Sequence, residues 1–206
     1  MAKEPRPGRV KTRLCPPCSP RQASDLAAAA LADTLDAALA SGADEIVLAL
    51  DGRPGEWCPP GIRVIPQLDG PFDRRLSGAW LEAGGPAIQI GMDTPQVTAP
   101  LLDAAMARLL APGTDAVLGD ANDGGWWLIG LRKADARVFD GVPMSSHDTG
   151  TRQRERLVEL GLRVGEVEPL TDIDTYADAL EVAALAPDTR FARLLAEPSF
   201  TVEVAS

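Results

Sequence analysis

The chain has 206 residues, of which 45% are apolar, enough for one domain with a sizeable core and in the range of ordinary globular proteins. Lys and Arg number 20 against 30 Asp and Glu, a formal net charge of −10; a chain this acidic is a poor general binder of nucleic acid or anionic lipid, so neither is expected as a partner. No stretch reads as a signal peptide or membrane span, since the apolar run 26–40 is interrupted by Asp33 and Asp36, and a cytoplasmic location is expected.

The chain opens on an exception to its own charge. "AKEPRPGRVKTRLCPP" gathers Lys3, Arg6, Arg9, Lys11 and Arg13 around a Pro/Gly-rich turn, with Glu4 as the lone acid. Gly8 and the prolines favour a tight turn, and backbone N–H groups with Lys and Arg are what a di- or triphosphate needs. The P-loop pattern G-x-x-x-x-G-K-[ST] is absent. A solvated basic arm is the bland alternative.

Ser19-Pro20-Arg21-Gln22 then marks a helix start, with Ser as N-cap, Pro at the first position and Gln closing a capping box. That helix should run to Ala40 and stop at Ser41-Gly42. The continuous apolar runs 45–50, 62–67 and 86–93 read as strands, separated by a helix over 73–83. Thr98 caps a helix to Leu110. Strands over 115–120 and 126–131 flank a Gly-rich turn. A helix over 151–160, a strand over 162–170 and a helix over 176–185 follow. With no repeat or linker in view, residues 1–206 read as one domain.

This alternation predicts an α/β fold in three layers, with a mainly parallel central sheet and helices on both faces. Ligands in such sheets bind beyond the carboxyl ends of the strands. Asp93, the group 120–123 and the pair Asp172 and Asp174 each follow a strand, so the fold should bring them to one edge beside the basic loop. A loop of that kind normally follows a central strand, yet only Met1 and Ala2 precede Lys3. The pattern implies a truncated first strand: either the start lies upstream, or the sheet lacks its middle strand.

Chemistry narrows further. His147 is the single histidine, which excludes a multi-histidine metal site, and Ser146, His147 and Asp148 are adjacent and cannot easily converge as a hydrolytic triad. Carboxylate ligands favour a hard ion, Mg²⁺ or Mn²⁺. Asp172 and Asp174 lie on one side of an extended segment and repel unless a cation sits between them. Cys15, Cys18 and Cys58 make no even disulfide framework, and the single C-x-x-C reads as structural thiols. Asp123 could act as base, Gly124 and Gly125 would let backbone approach a ligand, and Trp126 or Trp127 could stack on one, although alternation puts one of the two in the core.

"AKEPRPGRVKTRL", "GMDTP", "DGGWWLIGL", "PMSSHDTG" and "DIDTYADA", in this order, resemble the bacterial DUF2064 family of GT-A-type glycosyltransferase-like proteins over most of the chain. The K-T-R-L element is similar to that of 2-phospho-lactate guanylyltransferases, and the general plan to molybdenum cofactor guanylyltransferases. The resemblance implies the nucleotide-diphospho-sugar transferase fold and a metal-dependent transferase with a nucleotide donor. It places Lys11 and Arg13 on the donor phosphates, with Lys3, Gly8, Gln67 and Arg75 also on the nucleotide and Lys11 among the catalytic groups. Asp93 stands where such enzymes hold a metal, with Asp172 and Asp174 in support; the usual D-x-D is broken by Pro95. Asp123 or Asp148 would assist the acceptor, which Gly124, Gly125, Trp126 and His147 would hold. Glycosyl transfer from a nucleotide sugar to a small-molecule acceptor is the first expectation. Nucleotidyl transfer from a nucleoside triphosphate to a phosphorylated small molecule is the alternative, and a non-catalytic nucleotide-binding protein the third. The pattern leaves room for a homodimer.

Overall fold

The computed structural model describes residues 1–200. Its elements run β1 (Ala2–Lys3), α1 (Pro20–Ala40), β2 (Val47–Asp51), β3 (Arg63–Pro66), α2 (Phe72–Ala83), β4 (Ala87–Ile90), α3 (Ala99–Leu110), β5 (Ala116–Ala121), β6 (Trp126–Leu131), α4 (Thr149–Glu159), β7 (Val164–Leu170), α5 (Tyr176–Leu185) and α6 (Arg190–Leu195). Local chemistry sets the helix starts. The Ser19 side chain accepts from Gln22 N–H while the Gln22 side chain accepts from Ser19 N–H, so two of the orphan donors of α1 are satisfied. The Thr98 side chain accepts from Leu101 N–H at the start of α3, and Thr175 forms a capping box with Asp178 at α5.

The strands form two ladders, in the orders β1-β2-β3 and β4-β6-β5-β7. β1/β2, β2/β3 and β5/β7 are parallel; β4/β6 and β5/β6 are antiparallel. The α/β class with parallel pairing and helices is therefore as the sequence implies, and β6 is the strand that runs against the rest. Its reversal follows from the short turn between β5 and β6, since strands joined so closely pair antiparallel. The Met1 amino group donates to Ile90 O at 3.0 Å, and Lys3 N–H lies 3.3 Å from Met92 Sδ. Those contacts set β1 between β2 and the end of β4 and join the two ladders.

Buried side chains cover both faces. Leu31, Leu35, Leu48 and Leu50 pack between α1 and the first ladder. Trp80, Leu118, Ile129 and Phe139 pack between α2 and the second. None of the described helices is long and apolar enough to cross a membrane.

Candidate active site at the carboxyl edge

Three loops and the opening basic segment meet beyond the carboxyl ends of β1, β2, β4, β5 and β7. Segment 170–173 is held between its neighbours by named bonds. Asn122 N–H donates to Leu170 O at 3.1 Å, and Asn122 Nδ2 donates to Thr171 Oγ1 at 2.7 Å. On the other side Gln96 Nε2 donates to Thr171 O at 2.5 Å, and Ile173 N–H to Asp93 O at 3.0 Å. Near Gly119 and Asp120 the register of β5 shifts against both neighbours, and such irregularities re-aim the residues that follow.

The result is a cluster of carboxylates. Asp123, Asp172 and Asp174 each offer an oxygen, and these oxygens lie within 4.8 Å of one another. Burial, then the charges of Asp123 and Asp174, raise the Asp172 carboxyl to about 6, with Lys11 opposing. Oxygen donors at this spacing, with surplus negative charge, fit a hard divalent cation such as Mg²⁺ or Mn²⁺. Asp123 was expected near the acceptor; here it shares the cluster of the two C-terminal aspartates.

Asp93 and Lys11 are tied to each other. Lys11 occupies the left-handed backbone region (φ 48°), unusual for a residue with a Cβ. Its ammonium pairs with Asp93 Oδ2 at 2.9 Å and donates to Ile173 O, and its side chain is only 10% exposed. Lys11 thus latches the end of β4 to segment 170–173. Asp93 Oδ1 is buried with no partner. Arg13 stays 68% exposed and pairs with Asp174 Oδ2 at 2.6 Å.

Positive charge gathers beside the cluster. Gly8 is exposed with φ +75° and nothing near its missing Cβ, so the turn itself calls for glycine. Lys3, Arg6, Arg9 and Arg53 line a cavity of about 260 Å³ with Glu4, Asp51 and Gly52. Glu4 pairs with Arg6 at 2.7 Å and accepts from Arg53 N–H at 2.8 Å. Lys3, Arg6 and Arg9 belong to the opening basic segment that the sequence offers to phosphate. Arg53 is not legible there from sequence, because Asp51-Gly52 reads as a mere turn. Gln67 Nε2 donates to the Ala2 and Ala49 carbonyls at 2.7 and 2.8 Å, while its oxygen accepts from Arg75. Arg75 also pairs with Asp51 at 3.2 Å. Both residues brace the ends of β1 and β2 under the cavity.

The Gly-rich turn forms the other wall. Gly124 has φ +91°, and a Cβ there would meet His147 O at 1.9 Å. Gly150 N–H donates to Gly124 O at 2.8 Å, so the start of α4 rests directly on the turn. Gly125 N–H donates to Asp123 Oδ1 at 2.7 Å. His147 is exposed. Asp148 accepts from Ser146 Oγ at 2.6 Å and pairs with Arg152 at 3.3 Å; the Ser146 bond, with Arg152 assisting, lowers its carboxyl below the usual range. Trp126 packs against Phe139, ring centroids 6.4 Å apart, and Trp127 is buried with Nε1 donating to Glu168 O at 2.9 Å. Asp120, the remaining acid of that loop, pairs with Arg154 at 3.0 Å.

The chain is similar to a known protein family and to several known proteins. The family model DUF2064, "Uncharacterized protein conserved in bacteria", matches residues 25–146. The chain is 30% identical over 176 residues to 2-phospho-L-lactate guanylyltransferase of Haloarcula marismortui, covering 84% of this chain and 79% of that one. It is 31% identical to the protein of the same name from Natrialba magadii, covering 94% and 89%. In three dimensions it is similar to a protein from Desulfovibrio desulfuricans described as a nucleotide-diphospho-sugar transferase, with a TM-score of 0.84, 25% identity and 94% and 90% of the two chains covered.

Proposed function

Because the chain belongs to the DUF2064 family, we propose that it is a metal-dependent transferase with a nucleotide donor, and that it moves a nucleotidyl group from a nucleoside triphosphate to a phosphorylated small molecule. One observation carries the choice. The two carboxylates expected to serve as a base for an acceptor hydroxyl are both engaged, Asp148 by Ser146 and Arg152 and Asp123 by the acidic cluster. A base works best with a pKa near the operating pH, and Asp148 is shifted away from it. A phosphorylated acceptor is already ionised and needs no such base. The relatives named guanylyltransferase support this reading and make guanosine triphosphate the first donor to try.

Asp123, Asp172 and Asp174 would hold Mg²⁺ or Mn²⁺, which would supply positive charge to the donor's phosphates. Arg13, beside Asp174, and the cations around the 260 Å³ cavity would take the donor's phosphates. Lys11 holds Asp93 and Ile173 in place and lends its charge to the rear of the cluster. The Gly124-Gly125 turn, with His147, would seat the acceptor. An oxygen of the acceptor phosphate forms a bond to the α-phosphorus, the α–β phosphoanhydride bond breaks, and pyrophosphate leaves. Catalysis is positioning and charge stabilisation.

Glycosyl transfer from a nucleotide sugar is the second reading, supported by the Desulfovibrio likeness. A product assay separates the two. With guanosine triphosphate, Mn²⁺ and 2-phospho-L-lactate or another phosphorylated acid, pyrophosphate should appear only when acceptor is present, and Asp174→Asn should abolish it. Release of nucleoside diphosphate from a nucleotide sugar, with no pyrophosphate from any triphosphate, would overturn the proposal in favour of glycosyl transfer.

A further inference from the structure

Helix α5 brings two carboxylates to the segment that carries Asp172 and Asp174. Asp178 and Glu181 stand three residues apart and so share a face of the helix. Asp178 Oδ2 accepts from the N–H groups of Asp174 and Thr175 at 3.2 and 2.6 Å, and the capping box of α5 accounts for that contact. Glu181 Oε1 accepts from the Thr171 hydroxyl at 3.0 Å, a bond that serves no helix start. Thr171 is 8% exposed and joins three segments. Its carbonyl accepts from Gln96 Nε2 at 2.5 Å, and its Oγ1 accepts from Asn122 Nδ2 at 2.7 Å. Thr171 precedes Asp172 and Asn122 precedes Asp123. The Thr171–Asn122 bond therefore ties the two halves of the acidic cluster together one residue behind their carboxylates.

We infer that Glu181 is a positioning residue of the acidic cluster, acting through Thr171 Oγ1 and Asn122 Nδ2 to set the place of Asp123 against Asp172 and Asp174. The argument is one of proton direction. A carboxylate only accepts, and a hydroxyl has one proton to give. With that proton committed to Glu181, Thr171 Oγ1 can only accept from Asn122, which must then present its NH₂ and not its carbonyl oxygen. Glu181 thus fixes the Asn122 amide although it is exposed and lies outside the three-aspartate group. Without it the hydroxyl proton is free to turn toward Asn122, and the bond that joins the two loops is lost. The Asp123 carboxylate is aimed locally, by Gly125 N–H at 2.7 Å; the relay from α5 places the turn that carries it. The inference rests on the reading of the three aspartates as the site of Mg²⁺ or Mn²⁺. Groups that orient a metal's ligands without touching the metal change its affinity by about 10–100-fold when removed.

The experiment measures Mn²⁺ affinity by isothermal titration of the full chain without nucleotide, for the parent, Glu181→Ala, Glu181→Gln, Thr171→Ser and Asp174→Asn. Glu181→Ala should bind Mn²⁺ about tenfold more weakly than the parent, while its affinity for guanosine triphosphate in the absence of metal stays unchanged. Glu181→Gln keeps an oxygen that accepts from Thr171, and Thr171→Ser keeps the hydroxyl, so both should bind Mn²⁺ as the parent does. Equal Mn²⁺ affinity for Glu181→Ala and the parent would overturn the inference. So would a Glu181→Gln variant as weak as Glu181→Ala, because the charge of Glu181 and not its bond would then act on the metal, or an equal loss of metal and nucleotide affinity in Glu181→Ala, because the whole edge would then have loosened. A parent that takes up no Mn²⁺, or an Asp174→Asn variant that takes it up as the parent does, would remove the metal site itself and this inference with it; the other outcomes bear on Glu181 alone.

Discussion

Asp172 lies half-buried between Asp123 and Asp174, and burial with these two neighbours lifts its carboxyl to about 6. The sign of the consequence follows from proton counting. An unfolded Asp titrates near 3.9, so between about pH 4 and pH 6 the native protein binds more protons than the unfolded one. Stability of the metal-free protein therefore falls as pH rises through that window. Asp172→Asn should remove the fall, giving a higher melting temperature than the parent at pH 7.5 and little difference at pH 4. Mg²⁺ or Mn²⁺ should restore the parent and leave the variant unmoved. Parallel melting curves of parent and variant across the range would show that the carboxylates do not repel. The pair Asp172 and Asp174 is legible in the sequence because residues two apart in an extended segment share a side. Asp123 as the third member is not, since Asn122 brings it there through bonds to Leu170 and Thr171, 48 and more residues along the chain. Lys11 was legible as a cation at the site and not as a latch, because only folding reveals that Asp93 O and Ile173 N–H share a bond.

At the scale of elements, the β5–β6 turn and the start of α4 touch backbone to backbone. The bond from Gly150 N–H to Gly124 O and the 1.9 Å that a Gly124 Cβ would leave to His147 O permit no side chain at position 124. Gly124→Ala should therefore push α4 off the turn and lower stability by about 1–3 kcal/mol, the cost of forcing a residue into such a backbone state, with a loss of acceptor affinity larger than any loss of donor affinity. Denaturant melts and separate binding titrations read both; unchanged acceptor binding in a folded variant would remove the turn from the site. Helix starts were the most legible elements, because capping residues act locally: Ser19 and Thr98 each sit where the chain says they should. The direction of β6 was legible only through the short Gly-rich turn before it, since a parallel and an antiparallel buried strand carry the same apolar pattern. The short helix α6 went unread because its six residues carry less than two turns of periodicity, and it is held from outside, by Asp33 accepting from the N–H groups of Arg190 and Phe191.

For the molecule as a whole, the distribution of charge matters more than its sum. A net charge of −10 disfavours an anionic ligand at long range, yet the carboxyl edge carries both signs side by side: Arg13 with the cations around the cavity, and the three-aspartate cluster. Nucleotide alone would meet the cations with its phosphates but face uncompensated carboxylates. Metal alone would meet the carboxylates but bring no phosphate to the cations. Bound together, each supplies the charge the other's site lacks, so their joint effect should exceed the sum of the separate ones. Ligand at one hundred times its dissociation constant stabilises a native state by about 2.7 kcal/mol, and each kcal/mol moves the melting temperature of a domain this size by about 2–4 °C. The rise with guanosine triphosphate and Mn²⁺ present together should therefore be several degrees larger than the two single rises added. Asp123→Asn should reduce it to simple addition while leaving the rise from nucleotide alone intact or larger, because one repelling carboxylate has gone. Arg13→Ala should act the other way, weakening the response to nucleotide while sparing the response to metal. Additive shifts in the parent protein, or the same loss from both variants, would mean that the two charged groups do not form one site.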